Sequence, residues 1–231
     1  MNENTVCKNC IGERSKWYPI PVSTLEEILS RLLEPHRDIK SIKALRKNIA
    51  YNLQYLEFQM KIQGDIDVTD VVSNQNYKMT IIVGMSIVEA LLHYLLISKG
   101  KHKKTKWEEK PIVRIENSKT INNKTFLIQN IIFSESIERL ERMSLKNMIE
   151  VAKQNELFGP KKSSIYIKLG YLVKLRNKIH LFISSTDTDT DYMRINKPDL
   201  DLMKLILLFI FTGRSLFKLT ADEKELFDYL K

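Results

Sequence analysis

Ile81-Ile82-Val83-Gly84-Met85-Ser86-Ile87-Val88-Glu89-Ala90-Leu91-Leu92-His93-Tyr94-Leu95-Leu96 is apolar on almost every side of a helical projection. A helix that is hydrophobic all round is buried on most of its surface. The segment from Asn76 to Ser98 is therefore expected to be the central helix of a bundle, with the other elements packed around it. Its only polar strip is Ser86, Glu89 and His93, spaced by three and four residues and so sharing one face. A glutamate in such a helix needs a cation, or else a partner on its own helix such as His93. The cation to propose is Arg176.

Arg176 lies in Leu175-Arg176-Asn177-Lys178-Ile179-His180-Leu181, within a helical pattern from Ser163 to Ile183. At about 100° per residue, Ile165, Leu169, Leu172, Val173, Ile179 and Ile183 gather on one arc, with Arg176 and His180 in its middle. Placing both in an apolar stripe costs free energy unless each polar group is satisfied. Two explanations stand side by side: an internally bonded structural pair, or a cleft where the two do chemistry.

The chain has 231 residues with only 7 Gly and 6 Pro, which favours helices over a turn-rich sandwich and gives room for one sizeable core. The expected organisation is a tail over 1–22 and a single helical domain over 23–231. Its formal net charge of +9 makes nucleic acid or another anionic surface a reasonable partner. The polar start carries no signal peptide or anchor pattern, and the longest apolar run, Leu205 to Phe211, is far short of the roughly 20 residues of a spanning helix. A soluble cytoplasmic protein without a membrane partner is expected. Cys7 and Cys10 have the spacing of half a zinc ribbon at most, and with no second Cys-x-x-Cys and only His36 as a further candidate ligand where two are needed, the stretch reads as a tail without metal, and no cofactor is assigned.

Around the central helix the other elements fall into order. Ser23 and Glu26 have capping-box spacing ahead of a short helix ending before Pro35. Asp38 to Gln63 reads as a long amphipathic helix with Lys40, Lys43, Arg46 and Lys47 on a solvated face, and Gly64 to Asn74 as a connector. Lys99 to Lys110 reads as a basic loop in which Trp107 is able to stack on a base. The β-branched and aromatic residues from Ile112 to Phe133 predict a β-hairpin inserted over about 111–133, followed by a short charged stretch from Ser134 to Glu141. Ser144 caps a helix through about Glu156. Ser184 to Tyr192 carries Asp187, Asp189 and Asp191 like the start of a calcium loop, but Tyr192 and Pro198 stand where that loop needs Gly and Glu. Pro198 opens an apolar helix from Asp199 to Phe217, and Thr220 with Glu223 boxes a last short one. Between Lys146 and Lys178 eight basic residues face two acidic ones, a local +6 beside the Arg176 motif that suits phosphate.

The buried helix Ser86–Leu96, the segment Met143-Ser144-Leu145-Lys146-Asn147-Met148-Ile149-Glu150 and the stretch Leu175–Leu181 together resemble the HEPN domain. That family comprises bundles of about four or five helices in prokaryotic toxins, antiphage proteins and some eukaryotic nucleases. The resemblance spans about 76–217. It implies a mainly α, HEPN-like helical bundle with a small inserted β-hairpin, and the activity of a metal-independent endoribonuclease leaving a 2′,3′-cyclic phosphate. The family's signature is an arginine followed after four to six residues by a histidine; here three residues separate Arg176 from His180. By that resemblance Arg176, Asn177 and His180 are the catalytic residues, with Glu89 and His93 supporting them. Lys161, Lys162, Lys174 and Lys178 are the cations expected to hold RNA. One imidazole does not conveniently serve both proton transfers, so a homodimer is expected. A cognate antitoxin or nucleotidyltransferase is a further possible partner. The competing reading is a non-catalytic HEPN-like module that binds a partner or RNA without cutting it.

Overall fold

The computed structural model describes residues 17–110, 116–129, 131–178, 187, 190, 194–213 and 216–231. The described residues are mainly helical and divide into two compact units: a helical one formed by Met1–Lys101 with Ser144–Lys231, and a β unit from His102 to Met143.

In the helical unit, α1 (Val22–Leu32) and α2 (Ile42–Asp65) precede α3 (Asp70–Ser98). After the β unit come α4 (Leu145–Gln154), α5 (Ser164–Asn177), α6 (Lys197–Thr212) and the short α7 (Ala221–Glu225), with a 3-10 turn at Asp228–Leu230. α3 is central as its sequence requires, since α2, α4, α5 and α6 all pack on it while α1 packs on α2. Met85, Ile87, Val88, Leu91, Leu92, Leu95 and Leu96 are buried along its length. α3 is long and apolar enough to cross a membrane by length and composition, but two-thirds of its most apolar window is buried within the protein. At Gly84 the absence of a side chain lets α6 approach: a Cβ there would fall 2.9 Å from Met203 Cγ and closer still to its Sδ.

Several boundaries differ from the sequence reading. α1 starts at Val22 with Pro21 as N-cap, so Ser23 sits inside the helix and forms no capping box. The lead-in is gripped at Ile20, whose N–H donates to Glu57 Oε2 (2.7 Å) and whose carbonyl accepts from Gln54 Nε2 (2.9 Å). α2 begins four residues later than its pattern suggests. Arg46 does not belong to a solvated lysine face: its Nε donates to Leu33 O (2.9 Å) and its Nη2 to Ser30 O (3.1 Å), capping the carbonyl end of α1. α3 begins at Asp70, well inside the expected connector. α6 covers Lys197–Thr212 and opens with a reciprocal box between Asn196 and Asp199. Ser144 on α4 and the Thr220–Glu223 box on α7 cap as read from sequence. Cys7 and Cys10 lie outside the described residues, as do Asp189 and Asp191.

The β unit is larger than the expected hairpin. β1 (Lys104–Lys110) pairs antiparallel with β4 (Ile132–Leu140), and β2 (Glu116–Ile121) with β3 (Lys124–Gln129). The stretches read as a basic loop and a short charged segment are thus the two strands of one ladder. β2 and β3 join through Asn122 and Asn123, both at positive φ (51° and 59°), the conformation a two-residue hairpin turn demands. Lys106 pairs with Glu135 (2.7 Å) across β1 and β4, and Lys106 Nζ also lies 5.5 Å from the Trp107 ring centroid.

Candidate functional site

The site is built on two helices whose facing is set by local chemistry. Ser163 accepts the first turn's N–H from Ile165, and Ile165, Tyr166, Leu169, Leu172 and Val173 bury the inner arc of α5. Two tyrosines then fix the helix in place. The buried Tyr166 hydroxyl donates to Gly159 O (2.9 Å) and accepts from Phe158 N (3.1 Å), tying α5 to the turn after α4. Tyr171 donates to Asp199 Oδ1 (2.7 Å), the buried carboxylate whose other oxygen accepts from Asn196 N (3.0 Å) at the start of α6. That bond to a carboxylate, with lesser help from burial, pushes the Tyr171 phenol up to about 12. Neither tyrosine nor Asp199 stood out in sequence. A tyrosine at helical spacing reads as core, and Asp199 reads only as a first-turn residue of its helix.

With α5 so held, Arg176 in its last turn meets the polar strip of α3. Arg176 Nη2 lies 2.7 Å from Glu89 Oε2, which answers which cation Glu89 takes. Their side chains are 28% and 32% exposed, so the pair sits at the surface of the helical unit and not inside it. The guanidinium also lies at the carbonyl end of α5, where a positive charge is favoured by the helix dipole. It has five N–H donors, and one carboxylate oxygen occupies only part of that fork. Along α3, Ser86 donates to Ile82 O (2.8 Å) within its own helix, and His93 is exposed one turn beyond Glu89.

The structure thus brings Arg176 and Glu89 together. Asn177, the final residue of α5, is exposed, and Lys178 is the C-cap. Lys174 is exposed on α5, and Lys161 and Lys162 are exposed in the turn that leads into it. His180 lies outside the described residues, together with the part of the expected helix from Ile179 to Ile183.

Comparison with known proteins gives no matching family model, no matching curated protein and no matching solved structure.

Proposed function

We propose that the chain is a metal-independent endoribonuclease of the HEPN-like class, acting as a homodimer on RNA. The observation that carries this reading is the Arg176–Glu89 pair: a guanidinium oriented by a carboxylate of the central helix, yet about a third open to solvent. That opening leaves part of the guanidinium fork accessible to a phosphate.

RNA carries its own nucleophile, the 2′-hydroxyl. His180 accepts that proton as the oxygen attacks phosphorus, Arg176 holds the charge developing on the phosphoryl oxygens, and Asn177 donates a further hydrogen bond. The leaving 5′-oxygen is protonated by a second imidazole, and the products are a 2′,3′-cyclic phosphate and a 5′-hydroxyl. The second imidazole is His180 of the other subunit or, within one subunit, His93. Glu89 acts through Arg176 as a positioning residue. Lys161, Lys162 and Lys174 supply the salt-dependent attraction for the backbone.

The test is cleavage of labelled RNA by purified protein. His180→Ala and Arg176→Ala are each expected to abolish cleavage with the melting temperature retained, and native activity is expected to survive excess chelator. Undiminished cutting by His180→Ala would remove the mechanism.

The same pair favours a second reading, a non-catalytic HEPN-like module in which Glu89 and Arg176 hold α3 to α5 while the surface binds RNA or a partner such as a nucleotidyltransferase. Here RNA is bound and recovered intact by both native protein and variants, which separates the readings in one experiment.

A further inference from the structure

α2 is apolar on two opposite sides, and only one of them is covered. Ile49, Leu53 and Leu56 are buried within the helical unit. At about 100° per residue, Tyr51, Tyr55 and Phe58 gather on the other side within an arc of about 60°. They are 49%, 42% and 41% exposed. The Tyr55 and Phe58 rings lean towards each other, with centroids 6.4 Å apart and planes tilted by 39°. Past Ile62 the stripe runs on to Val68 and Val72 at the turn into α3, which are 40% and 52% exposed. Aromatic side chains present roughly 150–250 Å² each, so the three rings alone leave roughly 200–300 Å² open. With the valines added, the patch has the size that marks a contact surface and not a scatter of single apolar residues.

Charge decides what covers it. The first half of α2 and its approach are basic: Lys40, Lys43 and Lys47 are exposed, and no carboxylate occurs from Ile39 to Leu56. The far end is acidic, with Asp67 and Asp70 exposed just beyond it. No lysine or arginine stands between Lys47 and Lys61, so a nucleic-acid backbone finds no cation along the aromatic middle. A second α2 laid antiparallel does fit. A two-fold axis at Tyr55 sets that ring beside its own copy. The same axis brings Lys43 opposite Asp67 and Lys40 opposite Asp70, because the members of each pair are equally far from position 55 in the chain. A parallel arrangement instead sets lysine against lysine and aspartate against aspartate. The aromatic middle and the charged ends thus share one centre, as a self-complementary two-fold contact requires.

We infer that the outer face of α2 is the seam of a homodimer, in which two copies of the helix pack antiparallel about an axis at Tyr55. The seam rests on the surface of α2 and the turn after it, outside the stretch 76–217 that resembles the HEPN domain, and not on the nuclease reading.

The experiment is sedimentation equilibrium of the full chain over a dilution series, with circular dichroism of every variant. The native chain is expected to sediment at twice 27.1 kDa and to dissociate on dilution. Tyr55→Glu sets two carboxylates against each other on the axis, and it is expected to raise the dissociation constant by about tenfold or more with the helical spectrum unchanged. Ile167→Glu, the same change at a 75% exposed position on α5, is expected to leave the constant as it is. Lys43→Glu is expected to weaken the dimer several-fold. Lys43→Glu/Asp67→Lys is expected to recover most of that loss, since the exchanged charges meet again with opposite signs across the axis. A native chain that is monomeric at every concentration, a dimer indifferent to Tyr55→Glu, one broken by Ile167→Glu, or a charge exchange without recovery would each overturn the seam. RNA cleavage by a monomeric native chain would overturn it while leaving the nuclease chemistry standing, and a Tyr55-dependent dimer that never cuts RNA would do the reverse.

Discussion

Asp199 shows how much of the helical unit rests on single polar groups. One carboxylate closes the capping box with Asn196 and accepts the Tyr171 hydroxyl, so it fastens the start of α6 to the middle of α5. Asp199→Ala is expected to destabilise the unit by about 2 kcal/mol, combining a lost cap with a lost part-buried bond, as chemical denaturation would measure. Its partner sets a pH dependence with a definite sign. An unfolded phenol titrates near 10 and Tyr171 in the folded protein at about 12. The contribution is fully present below about pH 10 and is lost as pH rises towards 12, because the unfolded chain deprotonates first. Denaturation midpoints between pH 9 and 12 should therefore fall more steeply for the native chain than for Tyr171→Phe. At this scale the sequence was legible where two partners sit close together. Ser144 and the Thr220–Glu223 box declare themselves by local spacing. Glu89 and Arg176 were matched because a charge in an apolar setting demands a partner. Asp199 with Tyr171, and Arg46 with the end of α1, join distant segments by bonds that no spacing announces.

Among the elements, α3 decides the most, and its contact with α6 depends on one missing side chain. Gly84→Ala gains about 1 kcal/mol of helix propensity but drives a methyl into the buried Met203, and overpacking of this kind costs typically 1–3 kcal/mol. A net loss of about 1 kcal/mol is expected, and the double variant Gly84→Ala/Met203→Ala should lose less than the sum of its parts in a thermodynamic cycle. The helices were legible because burial on one face imposes a period of three to four. α3 was extended beyond its readable part because Asp70 to Gln75 carries no apolar face to mark it, and Val71 and Val72 there remain exposed. β1 and β4 were illegible for a related reason. Their residues are largely exposed, so no alternation appears, and charges such as Lys106 and Glu135 that look like a solvated loop are partners across a ladder.

At the scale of the whole molecule, the chain interrupts a helical unit with a β unit that closes its own ends. Lys104 stands opposite Leu140, and Glu141 N donates to Lys103 O (3.0 Å). Replacing 102–143 with a short Gly/Ser linker is expected to leave the helical unit folded, with its helical circular dichroism and cooperative melting retained; loss of cooperative melting would show that the β unit is needed for the bundle to form. The arrangement also bears on the order in which the protein assembles. Glu89 and Arg176 are brought together across a long stretch of chain, and pairing of β1 with β4 takes about two-fifths out of the free path between them. Loop-closure entropy values that shortcut at about half a kcal/mol. An insertion whose own ends are paired to each other therefore need not lengthen the search by which α3 and α5 meet.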